Sequence, residues 1–162
     1  IAVVNLDENE IRGEAEALAP FVDWASQPRS AVVGFSARLE SEIRQLPERD
    51  AAGFRSDFGI ASSALDRLIA TTYRMMGLIS FFTVGSDEVK AWTVSGGTKA
   101  TRAAGVIHSD IERGFIRAEV VSYEQFIVRG DIALCRTEGT LRLEGKGYPV
   151  RDGDIINFRF AV

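Results

Sequence analysis

Ile107-His108-Ser109-Asp110-Ile111-Glu112-Arg113-Gly114-Phe115-Ile116-Arg117-Ala118-Glu119-Val120 is the most informative run of this chain. Gly114 divides it. Before the glycine, Ser109 to Gly114 reads as a short helix, with Ser109 or Asp110 placed to cap it. After it, Phe115 to Ser122 reads as a strand. His108, Asp110 and Glu112 invite a catalytic or metal-binding reading. One imidazole with two acids lacks both a nucleophile and a second imidazole, so His108 is expected to be a hydrogen-bonded loop residue or a partner contact.

Outward from this stretch the apolar period is that of strands. Upstream, Leu78 to Val84 and Val89 to Val94 are predicted strands joined by the four-residue connection Gly85-Ser86-Asp87-Glu88. Thr101 to Gly105 reads as one helical turn. Downstream, Tyr123 to Val128 is a short helix and Asp131 to Glu138 an ambiguous one. Leu141 to Leu143 and Tyr148 to Val150 suggest a hairpin around Glu144-Gly145-Lys146-Gly147. Asp152-Gly153-Asp154 is a tight turn before a last strand, Ile155 to Phe160. Alternation assigns Phe115, Phe158 and Phe160 to the core rather than to base stacking. Five strands with an inserted helix predict a β-grasp, ubiquitin-like domain over 78–162.

Residues 1–77 read differently. Ile1-Ala2-Val3-Val4 and Ala31-Val32-Val33-Gly34-Phe35 are short apolar runs of the kind found in buried parallel strands. Between them Asp7 and Glu10 have capping-box spacing, which predicts a helix from Glu8 with Ile11, Ala15, Leu18 and Phe21 on one side. The β–α–β order implies a parallel pair with a right-handed crossover. Two such strands do not make a covered sheet, so further strands outside this sequence are expected. Leu39 to Leu46 and Arg49 to Phe58 are predicted helices. A clearer one follows Ser62 or Ser63, with Leu65, Leu68, Ile69, Tyr73 and Met76 on one face and Gly77 as its stop.

The composition bounds the function classes. With 162 residues, 46% hydrophobic and 26% charged, the chain has room for one or two small packed domains. A single cysteine and a single histidine exclude an internal disulfide and a zinc site of the usual kind. Cysteine usage argues for a reducing compartment, and a cytoplasmic location is expected. No apolar run approaches the ~18–20 residues of a membrane span. The chain starts with Ile1 in an apolar run, which suggests a fragment and no signal peptide. Residues 1–88 carry 8 Lys/Arg against 14 Asp/Glu, whereas residues 89–162 carry 11 against 9. That asymmetry suggests different partners for the two parts, or is the ordinary variation in charge of small surfaces.

Ile107 to Ala118, Leu143-Glu144-Gly145-Lys146, Tyr148, Asp152-Gly153-Asp154 and Phe158-Arg159-Phe160 together resemble the C-terminal TGS domain of the YchF/Obg-like ATPases. The resemblance covers nearly all of 78–162 and, more loosely, 1–77. Thr140 and Gly147 depart from it, where Lys and Asp are usual. It implies an α+β chain: the end of a P-loop-type nucleotide-binding domain, a helical linker and a TGS domain. It implies ATP with magnesium as ligands of the intact protein, and a ribosome or RNA partner for the TGS domain. Arg113, Arg117, Lys146 and Arg159 are candidate phosphate contacts, unless they are ordinary solvated charge.

The nucleotide reading rests on Asn5-Leu6-Asp7-Glu8, at the carboxyl end of an apparent parallel strand, where open α/β sheets bind ligands. By spacing alone such residues are more often turn and cap residues. GTPases place Asn-Lys-x-Asp there, and the Asp accepts two hydrogen bonds from guanine. Glu8 is one methylene longer, so that fit is lost, and adenine offers a lone pair where guanine offers a donor. Asn5 can still pair with adenine at N6 and N7. The resemblance implies an adenine pocket shaped by Asn5, Leu6 and Glu8, with Ser36 and Ala37 from the loop after the second strand. No Gly-x-x-x-x-Gly-Lys-Ser/Thr loop occurs in the sequence. The isolated chain is therefore predicted to lack ATPase activity. The competing expectation is a non-enzymatic module, with 1–77 as a helical cover for a β-grasp domain.

Overall fold

A computed structural model describes residues 1–85 and 88–161. Ser86 and Asp87, in the predicted 85–88 connection, lie outside the described residues. The chain divides into two compact units, Ile1–Met76 and Gly77–Val162.

In the N-terminal unit, β1 (Ala2–Asn5) and β2 (Val32–Phe35) pair in parallel, with Ala2 opposite Val32 and Asn5 opposite Phe35. The segment between them is not one helix. Asp7 caps α1 (Glu8–Arg12) by accepting from the Asn9 and Glu10 amides at 2.8 Å, and Glu10 returns a bond to the Asp7 amide. Gly13 then breaks the run. α2 (Glu14–Ala17), a 3-10 turn (Ala19–Phe21) containing Pro20, and α3 (Val22–Ala25) follow. Glycine costs helix stability and proline removes a donor, so the predicted stripe is cut into short pieces.

α4 (Ala37–Ile43) and α5 (Glu48–Asp57) precede α6 (Ala64–Met76). Glu40 of α4 accepts the Ala64 amide at 2.8 Å, fixing where α6 begins, and Ser63 accepts the Asp66 amide at 3.1 Å. Leu6, Ile11, Leu39 and Ile60 form the buried core of this unit. The apolar stripe of α6 is not buried within it: Leu65 is 56% exposed and Met76 60%.

The C-terminal unit is a five-stranded mixed sheet. β3 (Leu78–Val84) pairs antiparallel with β4 (Val89–Ser95). Two helices follow, α7 (Ala100–Ile107) and α8 (Ser109–Arg113), and then β5 (Phe115–Ser122). After α9 (Tyr123–Arg129) and α10 (Ile132–Thr137) come β6 (Arg142–Glu144) and β7 (Asp154–Phe160). The order across the sheet is β4-β3-β7-β5-β6, with β7 parallel to β3 and antiparallel to β5. This is the predicted β-grasp arrangement. One face packs on α7 and α8 through Phe81, Phe115, Val120, Ile156 and Phe158. The Phe81 and Phe158 rings meet edge to face, centroids 6.0 Å apart. On the second face Val121, Cys135 and Ile155 form a smaller core with Phe126 and Ile132.

Four details differ from the sequence reading. α7 is a full two-turn helix rather than one turn, because Ala100, Ala103 and Ala104 present no bulk and let its backbone press onto the sheet. Tyr148 to Val150 does not form a hairpin with β6; β6 pairs with β5, and Pro149 makes only an isolated bridge with Lys99. Proline has no N–H to extend a ladder. Phe160 is 40% exposed, unlike buried Phe115 and Phe158. The cap of α8 is His108, not Ser109 or Asp110: its Nδ1 accepts the Asp110 amide at 3.1 Å, so His108 is hydrogen-bonded as expected.

Candidate functional site

The parallel register brings two loops together at the carboxyl ends of β1 and β2. A cleft of about 540 Å³ lies there, lined by Asn5, Leu6, Asp7, Glu8, Ser36 and Arg38 among others. Two bonds hold the loops in place. The Leu6 amide donates to the Phe35 carbonyl at 2.8 Å, continuing the sheet by one residue. The Asn5 side-chain oxygen accepts the Ala37 amide at 3.0 Å. That second bond fixes the orientation of the Asn5 amide, because only its oxygen can accept an N–H.

Leu6 is only 4% exposed. Its side chain packs with Ile11, Leu39 and Ile60, and it closes against Gly34, where a Cβ would come within 2.7 Å of a Leu6 methyl. Ser36 is buried and caps α4, its hydroxyl accepting the Leu39 amide at 3.5 Å. Ala37 is exposed, with its amide engaged by Asn5. Asn5, Leu6, Glu8 and Ser36 thus line one cleft, and Ala37 joins them through Asn5.

Glu8 stands in the first turn of α1, where a carboxylate is favoured by the exposed amides. Its partner is Arg38, at 3.3 Å, which also holds Glu42 at 3.1 Å. The Arg38 guanidinium is held further in its charged form, by the hydrogen bond to Glu42 first and the charge of Glu8 second. The sequence reading did not single out Arg38. Its signal was the Arg38–Glu42 spacing of four on a helix directly after the cap. Beneath the cleft, Glu14 forms an ion pair with Arg67, and Arg12 lies over the Phe58 ring at 4.6 Å.

The C-terminal unit holds a polar centre that sequence reasoning also missed. Glu119 is buried on the sheet, yet accepts from Arg136 and Arg159 at 3.1 Å each and from Asn157 at 3.2 Å. Burial pushes its carboxyl pKa up, but the hydrogen bond and charge of Arg159, with Asn157 and Arg136, outweigh this and hold it below its ordinary value. At the start of β7, buried Asp154 accepts from the Tyr148 hydroxyl at 2.8 Å and the Arg151 amide at 2.9 Å. Burial, then the bond to Asp154, pushes the Tyr148 pKa up. Among the described residues, no group of three or more His, Cys, Asp or Glu is arranged to hold a metal ion. Among them, too, no helix is long and apolar enough to cross a membrane.

Residues 78–161 match the YchF-GTPase_C family, described as a protein of unknown function (DUF933). The ribosome-binding ATPase YchF of Bacillus subtilis is 44% identical over 162 residues, covering 99% of this chain and 44% of that protein. Obg-like ATPase 1 of Caenorhabditis elegans is 39% identical over 163 residues, covering 99% and 41%. The solved structure of the Schizosaccharomyces pombe YchF GTPase superposes with a TM-score of 0.78 at 31% identity, covering 98% of this chain and 43% of that one. A GTP binding protein from Pyrococcus horikoshii shares the fold, with a TM-score of 0.60 at 15% identity. The chain spans less than half the length of these relatives.

Proposed function

The chain belongs to the YchF family, as the C-terminal portion of such a protein, and from that premise we propose that its N-terminal cleft holds the adenine of ATP while its C-terminal unit attaches to the ribosome. The observation that carries the nucleotide half is the bond from the Ala37 amide to Asn5. It joins the two loops at the strand ends where such sheets bind ligands. It also turns the Asn5 NH2 toward use as a donor, and purine N7 is an acceptor of the right kind. The Asn5 oxygen keeps a second lone pair for the adenine amino group.

Of these two bonds the one to N7 is common to both purines, while the one from the amino group is not, since guanine presents an acceptor, O6, in its place. Glu8 adds to the discrimination. A carboxylate free to face the base would accept from the guanine N1–H and 2-amino group. Glu8 is instead engaged by Arg38, which lowers its value as a guanine acceptor and spares adenine the repulsion at N1. Phosphate binding, magnesium and hydrolysis are assigned to the rest of the longer protein, because the phosphate-cradling motif is not in these 162 residues. Bound magnesium would supply charge neutralisation of the phosphates there. The ribosome half draws on the relatives' names and on the exposed arginines of the C-terminal unit.

The test is nucleotide titration of the full-length protein with ATP and GTP. Asn5→Ala should weaken GTP by up to roughly tenfold, the loss expected from about 1–1.5 kcal/mol for one hydrogen bond, and ATP by more. Glu8→Asp should narrow the preference for ATP. Equal affinity of the unmodified protein for ATP and GTP would overturn the reading. Magnesium-dependent ATP turnover by the isolated chain would overturn the division of labour.

A further inference from the structure

The second face of the five-stranded sheet carries an arrangement that its own packing does not explain. Arg117 on β5 and Arg159 on β7 are directly opposed in the antiparallel register. Opposed residues leave the same face, and like charges so placed destabilise a sheet. Glu119, two residues along β5, shares that face and faces Asn157 in the register. It takes hydrogen bonds from Arg136, Arg159 and Asn157. Two arginines therefore share one acid, and a third, Arg117, stands opposite one of them. Arg117 is exposed, and its side chain makes no ion pair or hydrogen bond with the described residues to offset its repulsion with Arg159.

We propose that Arg117, Arg136 and Arg159 form a phosphodiester-binding surface for RNA, with Glu119, itself bonded by Asn157, holding two of the guanidiniums in place. The proposal rests on the ribosome reading above and assigns it a face and residues. Arg136 and Arg159 each use one terminal nitrogen on Glu119, leaving other donors of each planar fork for phosphate oxygens. Anchoring on a buried carboxylate reduces the rotamer freedom lost on binding. Arg117 brings the charge that Glu119 does not neutralise. Its repulsion in the free protein is relieved when a phosphate lies between it and Arg159. Like-charge opposition is then a cost in stability retained for binding.

This separates the proposal from a structural role. The 162-residue chain is titrated into fluorescein-labelled oligo(U) RNA, with labelled poly-glutamate as the acidic-peptide comparison. Arg117→Gln should weaken oligo(U) about fivefold at low salt and reduce the slope of log affinity against log salt by about 0.7, one phosphate contact. Arg117→Glu should abolish binding while keeping or raising the melting temperature, because the new carboxylate faces Arg159. Unchanged oligo(U) affinity and slope in Arg117→Gln would overturn the proposal. So would a loss confined to poly-glutamate, which points to an acidic protein partner, or a lowered melting temperature in Arg117→Glu. Ribosome co-sedimentation distinguishes the two levels. If the unmodified chain does not pellet at low salt, the ribosome reading fails and oligo(U) still decides the surface. If it pellets and Arg117→Glu pellets equally, the surface is overturned alone.

Discussion

Gly114 is packed against the backbone of Ala161 so closely that a Cβ at Gly114 would lie 1.9 Å from the Ala161 carbonyl oxygen. The Ala161 amide donates to the Gly114 carbonyl at 2.9 Å, which holds the two backbones together. Gly114 has an ordinary negative φ, so the requirement is for space and not for left-handed backbone.

Gly114→Ala should therefore destabilise the C-terminal unit by about 3 kcal/mol, the upper end for overpacking, because a backbone atom must move. Gly105 provides the control. A Cβ there meets the Glu112 carboxylate at 2.2 Å, the end of a side chain that can swing away. Gly105→Ala sacrifices the exposed Arg102–Glu112 pair but gains up to about 1 kcal/mol of helix propensity. Urea midpoints of the two variants should differ clearly. Equal midpoints would mean that the Ala161 segment does not pack as described.

Glu119→Gln keeps the shape of the side chain but removes the charge that two arginines share. It should cost about 1.5–3 kcal/mol at neutral pH, the range for hydrogen bonds to a charged group. The sign with pH follows from the depressed carboxyl pKa. Stability is fully present above the unfolded-state value of about 4.3 and is lost as pH falls through the lower folded-state value. Thermal unfolding between pH 5 and about 2.5 should show a shallower acid slope in Glu119→Gln. Parallel curves for the two proteins would contradict the network.

Gly34→Ala tests the packing behind Leu6 in the proposed nucleotide cleft. The added methyl would meet the Leu6 methyl at 2.7 Å and the Glu14 carboxylate at 3.0 Å. Both can shift, so the expected cost is moderate, about 1–2 kcal/mol. The displaced Leu6 carries the Asn5–Glu8 loop with it. Nucleotide affinity of the full-length protein should fall even though Gly34 has no polar group to offer a ligand. Loss of stability with unchanged affinity would separate Leu6 from the geometry of the cleft.

Strands were the legible part of the sequence. Leu78 to Val84 and Phe115 to Ser122 have the apolar content of half-buried strands, and their bounds are those observed. α7 was under-read because Ala100, Ala103 and Ala104 bury through smallness, which hydrophobic periodicity scarcely registers. The cleft residues Asn5, Glu8 and Ser36 were legible through the family resemblance, since their place after apolar runs alone suits turn and cap residues as well. Arg38 was not, since an exposed arginine in a first turn looks like ordinary surface. The Glu119 centre was hidden for another reason. Arg136, Asn157 and Arg159 reach it only through sheet register and helix packing, and neither is written in local spacing.

The position of β7 also governs how this unit is made. It is the middle strand of the sheet, yet the last to be synthesised. Until residues 154–160 leave the exit tunnel, β3 and β5 have no common neighbour and each presents an unpaired edge. Closing the parallel β3–β7 seam joins segments far apart in sequence, a slow event in folding. Nascent chains halted before that point are the state most exposed to edge-to-edge association.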